Sequence, residues 1–114
     1  PPETVPEFAS DVRPILNSSC RSCHSCSPGG DCSSAPAGFY VDSIPWYQLM
    51  KDSTQAPSMK RAEPYSASQS YLWHKLWGTH ESVGGTGDTM PMGDMLPPDD
   101  LDTITQWING GAEN

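Results

Sequence analysis

Apolar residues in this 114-residue chain recur at helical spacing in four places, and nowhere alternate as a strand would. At about 100° per residue, Val5, Phe8, Val12, Ile15 and Leu16 share one face, with Glu7 and Arg13 off it, so an amphipathic helix is expected over 5–17. Thr4-Val5-Pro6-Glu7 reads as its capping box, with Thr4 as N-cap, Pro6 in the first turn and Glu7 at the third helical position. Pro14 should bend or tighten the last turn. Near the other end, Pro97-Pro98-Asp99-Asp100 opens a helix and Gly110-Gly111 stops it. Leu101, Ile104, Thr105 and Ile108 form its stripe, with Trp107 on the flank. A third helix is expected from about Ser66, capped with Gln69, to Trp77, and Gly78 ends it. Leu72, Trp73, Leu76 and Trp77 make its apolar face, which leaves His74 and Lys75 off that face and His74 at the surface. A shorter helix over 44–51, after Ser43, turns Trp46, Leu49 and Met50 inward.

Residues 25–42, 52–65 and 78–97 are loops rich in Gly, Pro and Ser. There is no internal repeat, the length suits one domain over 1–114, and no run approaches the roughly 18 apolar residues of a membrane helix. The chain is therefore expected to be all-α. Its two terminal helices can bury their stripes only against each other or against something bound. Without a leader segment at its start, the chain reads as a mature protein or a domain cut from a longer one.

Composition sharpens this. Leu, Ile, Val and Phe make only 14% of the chain and the formal charge is −8, a combination typical of disorder, yet four Trp and four Tyr argue for a packed interior. Small chains make up such a shortage with disulfides, a metal or a cofactor.

The cysteines indicate which. Cys20, Cys23, Cys26 and Cys32 are the complete set, and Cys20-Arg21-Ser22-Cys23-His24 is a C-x-x-C-H haem c attachment signature. Two thiols two residues apart can add to the two vinyl groups on one porphyrin edge, and the histidine that follows can bind iron from beneath the ring. Three other uses compete: a redox dithiol, a two-disulfide scaffold, and a zinc site using His24. The first lacks a surrounding βαβ pattern, and zinc ribbons space their pairs more widely than these crowded sulfurs. Ser27-Pro28-Gly29-Gly30-Asp31 can turn Cys26 back to Cys32. A disulfide there would stabilise by about 2 kcal/mol and requires an oxidising compartment; two free thiols or a surface metal clip is the alternative.

Ahead of the last helix, the glycine-rich run 84–93 carries Met90-Pro91-Met92-Gly93. A thioether paired with histidine keeps haem iron six-coordinate in both oxidation states, though core filler is the commoner fate of a methionine.

With these segments in view, the chain resembles a monohaem class I cytochrome c of the bacterial type. The resemblance rests on Asp11-Val12-Arg13-Pro14-Ile15-Leu16, the C-x-x-C-H run, Ser70-Tyr71-Leu72-Trp73-His74-Lys75-Leu76 with Gly78-Thr79-His80, Met90-Pro91-Met92-Gly93, and Ile104-Thr105-Gln106-Trp107-Ile108. It implies a small fold of three to four helices around one covalent haem c, with long Gly/Pro-rich loops. It also implies Cys20 and Cys23 as attachment sites, His24 as proximal ligand and Met90 as distal ligand. Met92, Met95 and a second imidazole from His80 are the other options for the sixth position. Phe8 should touch Trp107 where the first and last helices meet, and a proline carbonyl, Pro36 or Pro28, should accept the second N–H of His24. Lys60 and Arg61 are candidates for the haem propionates.

From Glu81 to Asn114 there are seven acids and no Lys or Arg. This field disfavours nucleic acid and favours a redox partner with a basic docking surface, or serves only solubility. The expected function is single-electron transport in the periplasm or another exported location, without enzymatic activity. The alternatives are a haem peroxidase or gas-sensing domain with a displaceable distal ligand and His80 as its acid–base group, and a haem-free disulfide-stabilised binding module.

Overall fold

The computed structural model describes residues 5–21, 24–26, 32–33, 35–41, 45–91 and 95–114. Among them the architecture is all-α: α1 (Arg13–Ser19), α2 (Pro45–Met50), α3 (Tyr71–Trp77) and α4 (Pro98–Asn109), joined by loops with short 3₁₀ turns at Pro36–Gly38, Ala67–Gln69 and His80–Val83. Among the described residues, extended pairing is confined to the isolated bridges Asp52–Lys60 and Lys60–Ser70.

The first helical segment starts later than its periodicity suggests and opens on a wide π turn, Phe8–Val12. Pro14 has no N–H to give and its ring would press on the carbonyl four residues back. The chain accommodates it with five-residue spacings just before: Arg13 N–H reaches Phe8 O, and Val12 N–H reaches Glu7 O at 3.3 Å. Pro14 thus acts at the helix start rather than in its last turn. Glu7 precedes the helix instead of standing third in it, and its N–H donates to Asp11 Oδ2 at 2.8 Å. Val5, outside the helix, is 51% exposed, and Thr4 lies outside the described residues.

α4 matches its expected start and stop. Leu101, Ile104 and Ile108 are buried, and the chain leaves the helix through Gly111 at φ +121°. Trp107, expected on the flank, is also buried, because the Phe8 ring lies against it with centroids 5.4 Å apart. The indole N–H donates to Glu113 O at 2.9 Å.

α3 corrects the sequence reading more deeply. Ser66 makes no side-chain cap, and Ser70 interrupts the expected continuous helix in an extended conformation. Fully buried, the Ser70 hydroxyl donates to Ser66 O (2.8 Å) and accepts the Glu63 N–H (2.7 Å), so its local bonds replace helical ones. Trp77 is 40% exposed whereas His74 and Lys75 are buried. His74 donates from Nε2 to Ser68 O and accepts at Nδ1 from the Thr79 hydroxyl, both at 2.7 Å. The reason is that α3 is covered on two sides: Trp73 Nε1 donates to Thr105 of α4 at 3.1 Å, while Tyr71, Leu72, Lys75 and Leu76 line a cleft. A single-stripe analysis cannot place such a helix.

α2 buries Leu49 as expected and also Gln48; Trp46 is partly buried and ties α2 to the C-terminus through its N–H to Ala112 O at 2.9 Å. Its expected cap, Ser43, lies outside the described residues. No helix among the described residues is long and apolar enough to cross a membrane.

Candidate functional site

Three residues singled out for their chemistry, Cys20 and His24 from the turn after α1 and Met90 from a loop far along the chain, line one cleft. Its volume of about 170 Å³ is more than ten times the roughly 10–15 Å³ that one water occupies. Phe39 and Arg61 from the loops complete the wall, with Tyr71, Leu72, Lys75 and Leu76 from α3 and Ser53, Thr54 and Gln55 beside them.

Each placement has a local cause. α1 ends by sending two amides, Cys20 N–H (2.9 Å) and Arg21 N–H (3.0 Å), to Leu16 O, and His24 N–H then closes on Cys20 O at 2.9 Å. This turn brings Cys20 and His24 to the cleft; Cys23 lies outside the described residues. His24 Nδ1 donates to Phe39 O at 2.8 Å, and Val41 N–H returns to His24 O at 2.9 Å. A carbonyl can only accept, so Nδ1 carries the proton and Nε2 is the basic nitrogen available to a metal. The acceptor is Phe39 rather than Pro36; Pro28 lies outside the described residues. The loop between is closed by the Cys26–Cys32 disulfide. That bond takes up two of the four cysteine sulfurs, leaving a four-coordinate zinc site that uses His24 short of ligands.

Cys20 forms no disulfide, and burial pushes its thiol up to about 11. A sulfur held neutral is unsuited to thiolate redox chemistry, whereas an uncharged thioether there would meet no such desolvation cost.

Met90 is half-buried and anchored by its own N–H, which donates to Lys75 O at 2.9 Å. Met95 is 53% exposed and away from the cleft, and Met92 lies outside the described residues. His80 does not line the cleft; it is buried with Nε2 donating to Gly87 O at 2.7 Å, which turns it from a candidate ligand into a loop contact.

The sequence reading missed the polar wall. Tyr71 donates to Gln55 Oε1 at 2.6 Å and Lys75 Nζ to Thr86 O at 2.6 Å. Burial raises the Tyr71 pKa, opposed by a hydrogen bond to the Thr86 backbone, and lowers that of Lys75, opposed by Asp88. Their spacing of four residues, which puts two side chains on one helix face, was the available signal. Arg61 lies 5.0 Å over the Phe39 ring and donates to Gln48 O at 2.9 Å; burial lowers its pKa. Lys60 does not line the cleft, and its Nζ reaches Met50 O at 3.4 Å.

The chain matches no protein-family model, no curated protein and no solved structure.

Proposed function

We propose that this chain is a c-type cytochrome that carries single electrons. The observation that carries the reading is the convergence of Cys20, His24 and Met90 on one cleft, although 70 residues separate the first from the last. The donor set suits haem: a neutral sulfur at Cys20, an imidazole oriented by a backbone carbonyl, and a thioether from a distant segment. Cys20 and Cys23 would hold the porphyrin covalently, His24 Nε2 and Met90 Sδ would ligate the iron, and Arg61 and Lys75 would set cationic side chains along the cleft wall. When bound, haem supplies an iron that exchanges one electron between ferrous and ferric forms. The chain's own part is to fix the imidazole through Phe39 O, hold the methionine loop through Lys75 O, and keep water from the sulfur of Cys20. The Cys26–Cys32 disulfide supports an oxidising location such as the periplasm, and the acidic C-terminal third supports a basic redox partner.

A second reading draws on Tyr71 and Lys75, which line the same cleft as Met90. If Met90 were easily displaced, these two groups, rather than His80, would supply the acid–base chemistry of a peroxidase or a gas sensor.

An absorption spectrum of the purified protein tests both. Low-spin bands that survive acid extraction, and a near-infrared sulfur-to-iron band that disappears in Met90→Ala but persists in Met92→Ala, are expected. Rapid carbon monoxide binding by the reduced protein would favour the second reading, and a colourless folded protein of bare polypeptide mass would defeat both.

A further inference from the structure

We propose that His80 is a positioning residue that clasps the loop carrying Met90, so that the sixth ligand is held in place by a side chain outside the cleft. The inference rests on Met90 being that ligand, as argued above. His80 is 3% exposed, in the 3₁₀ turn that follows α3. Its ring and its backbone both hold the glycine-rich segment: Nε2 donates to Gly87 O at 2.7 Å, and the His80 carbonyl accepts Gly85 N–H at 2.9 Å. The loop between is pinned from α3 as well, by Lys75 Nζ on Thr86 O and by Lys75 O on Met90 N–H.

Since Gly87 O can only accept, Nε2 carries the ring proton, and Nδ1 is left buried without a hydrogen-bond partner among the described residues. A histidine buried with one nitrogen unsatisfied is a costly filler. What it provides is a rigid donor that reaches across the turn to the backbone three residues before Met90. Glycine at 84 and 87, both at positive φ, gives this segment little stiffness of its own.

The test compares His80→Phe, which keeps a buried ring but has no donor, with His80→Gln, whose amide can still donate. In the haem-loaded protein, amide hydrogen exchange at Gly85 and Met90 is expected to accelerate about tenfold in His80→Phe, the effect of losing one hydrogen bond, and to stay within about twofold of native in His80→Gln. Exchange at Val12 and Ile104 should not change. The near-infrared sulfur-to-iron band should weaken in His80→Phe and persist in His80→Gln. If His80→Phe does not fold, His80→Ala, which leaves space for water, is held to the same expectation. Native exchange at both loop amides in the variant without a donor, or equal loosening with Gln, would overturn the clasp. Because exchange is read independently of the iron, it still reports the clasp if Met90 proves not to be the ligand; in that case the band would survive in Met90→Ala.

Discussion

His24 donates its Nδ1 proton to the carbonyl of Phe39, fifteen residues further along the chain, at 2.8 Å. Between them the Cys26–Cys32 disulfide ties the half of the segment nearer His24. The bond therefore restrains the loop that orients the imidazole.

Replacing both Cys26 and Cys32 by Ser is expected to lower stability by about 2 kcal/mol, since a short closed loop removes that much chain entropy from the unfolded state. Urea denaturation checks the loss through the midpoint, with an m-value that rises as the unfolded chain becomes less constrained. An unchanged midpoint would mean that the loop is held by its hydrogen bonds alone.

The contact of Phe8 with Trp107 joins the first helical segment to α4, both rings being almost fully buried. Trp107→Ala should cost about 3–5 kcal/mol, as for other large buried aromatics. A double-mutant cycle with Phe8→Ala should give a coupling of about 0.5–1.5 kcal/mol, the specific share of the ring pair. Thermal unfolding followed by circular dichroism provides all four corners of the cycle.

α4 and the buried face of the first helical segment were readable because each depends on near neighbours in sequence, whereas the start of that first segment was not, since Pro14 forces the wide turn before it. The Leu101–Ile108 stripe and its Pro and Gly boundaries are local signals, and α4 follows them. α3 defeated the same method: its Trp73 face meets α4 while its Tyr71 and Lys75 face meets the cleft, so two demands share one short helix. Cys20 and His24 stood out through residue type and spacing, and Met90 through the resemblance of its Met-Pro-x-Gly run; all three line the cleft. Phe39 and Gln55 were not, since Phe39 contributes a carbonyl that any residue could supply, and Gln55 matters only through Tyr71.

Gly85 packs against Tyr71 so closely that an added Cβ would overlap the phenol ring. Gly85→Ala should therefore displace Tyr71 and break its bond to Gln55, at a cost of about 1–3 kcal/mol typical of overpacking. Gly84→Ala, where a Cβ meets nothing within 4 Å but φ is +88°, should cost only the backbone strain, about 1 kcal/mol. Equal losses in the two variants would show that the Tyr71 ring yields freely.

Cys20 makes the state of its sulfur measurable through pH. A free thiol there has its folded pKa raised from 9.0 to about 11 by burial, so the folded state retains its proton where the unfolded state releases it. Its contribution is full below pH 9 and declines as pH rises through 11, a loss of up to about 3 kcal/mol. Under the proposed attachment the sulfur is a thioether and cannot titrate. Native protein should then show no Cys20-dependent fall in stability between pH 9 and 11, and no thiol there that alkylates after unfolding. A fall in that window that is abolished by Cys20→Ser would mean that the thiol is free.

The acidic C-terminal third gives the last prediction, on rates rather than stability. Glu81, Asp88, Asp99 and Asp102 are exposed, and no Lys or Arg follows Arg61 and Lys75 to balance them in this part of the chain. Fields of exposed charge act over about a Debye length, close to 10 Å at 0.1 M salt, and steer the encounter of charged partners. Oxidation of the reduced protein by a cationic metal complex should therefore slow as salt is added, whereas oxidation by an anionic complex should accelerate. Asp99→Asn with Asp102→Asn should flatten the cationic dependence without altering the spectrum, because both carboxylates are exposed on α4 and neither lines the cleft. Stopped-flow rates at several ionic strengths decide the matter: identical slopes for both oxidants would reduce these acids to a role in solubility.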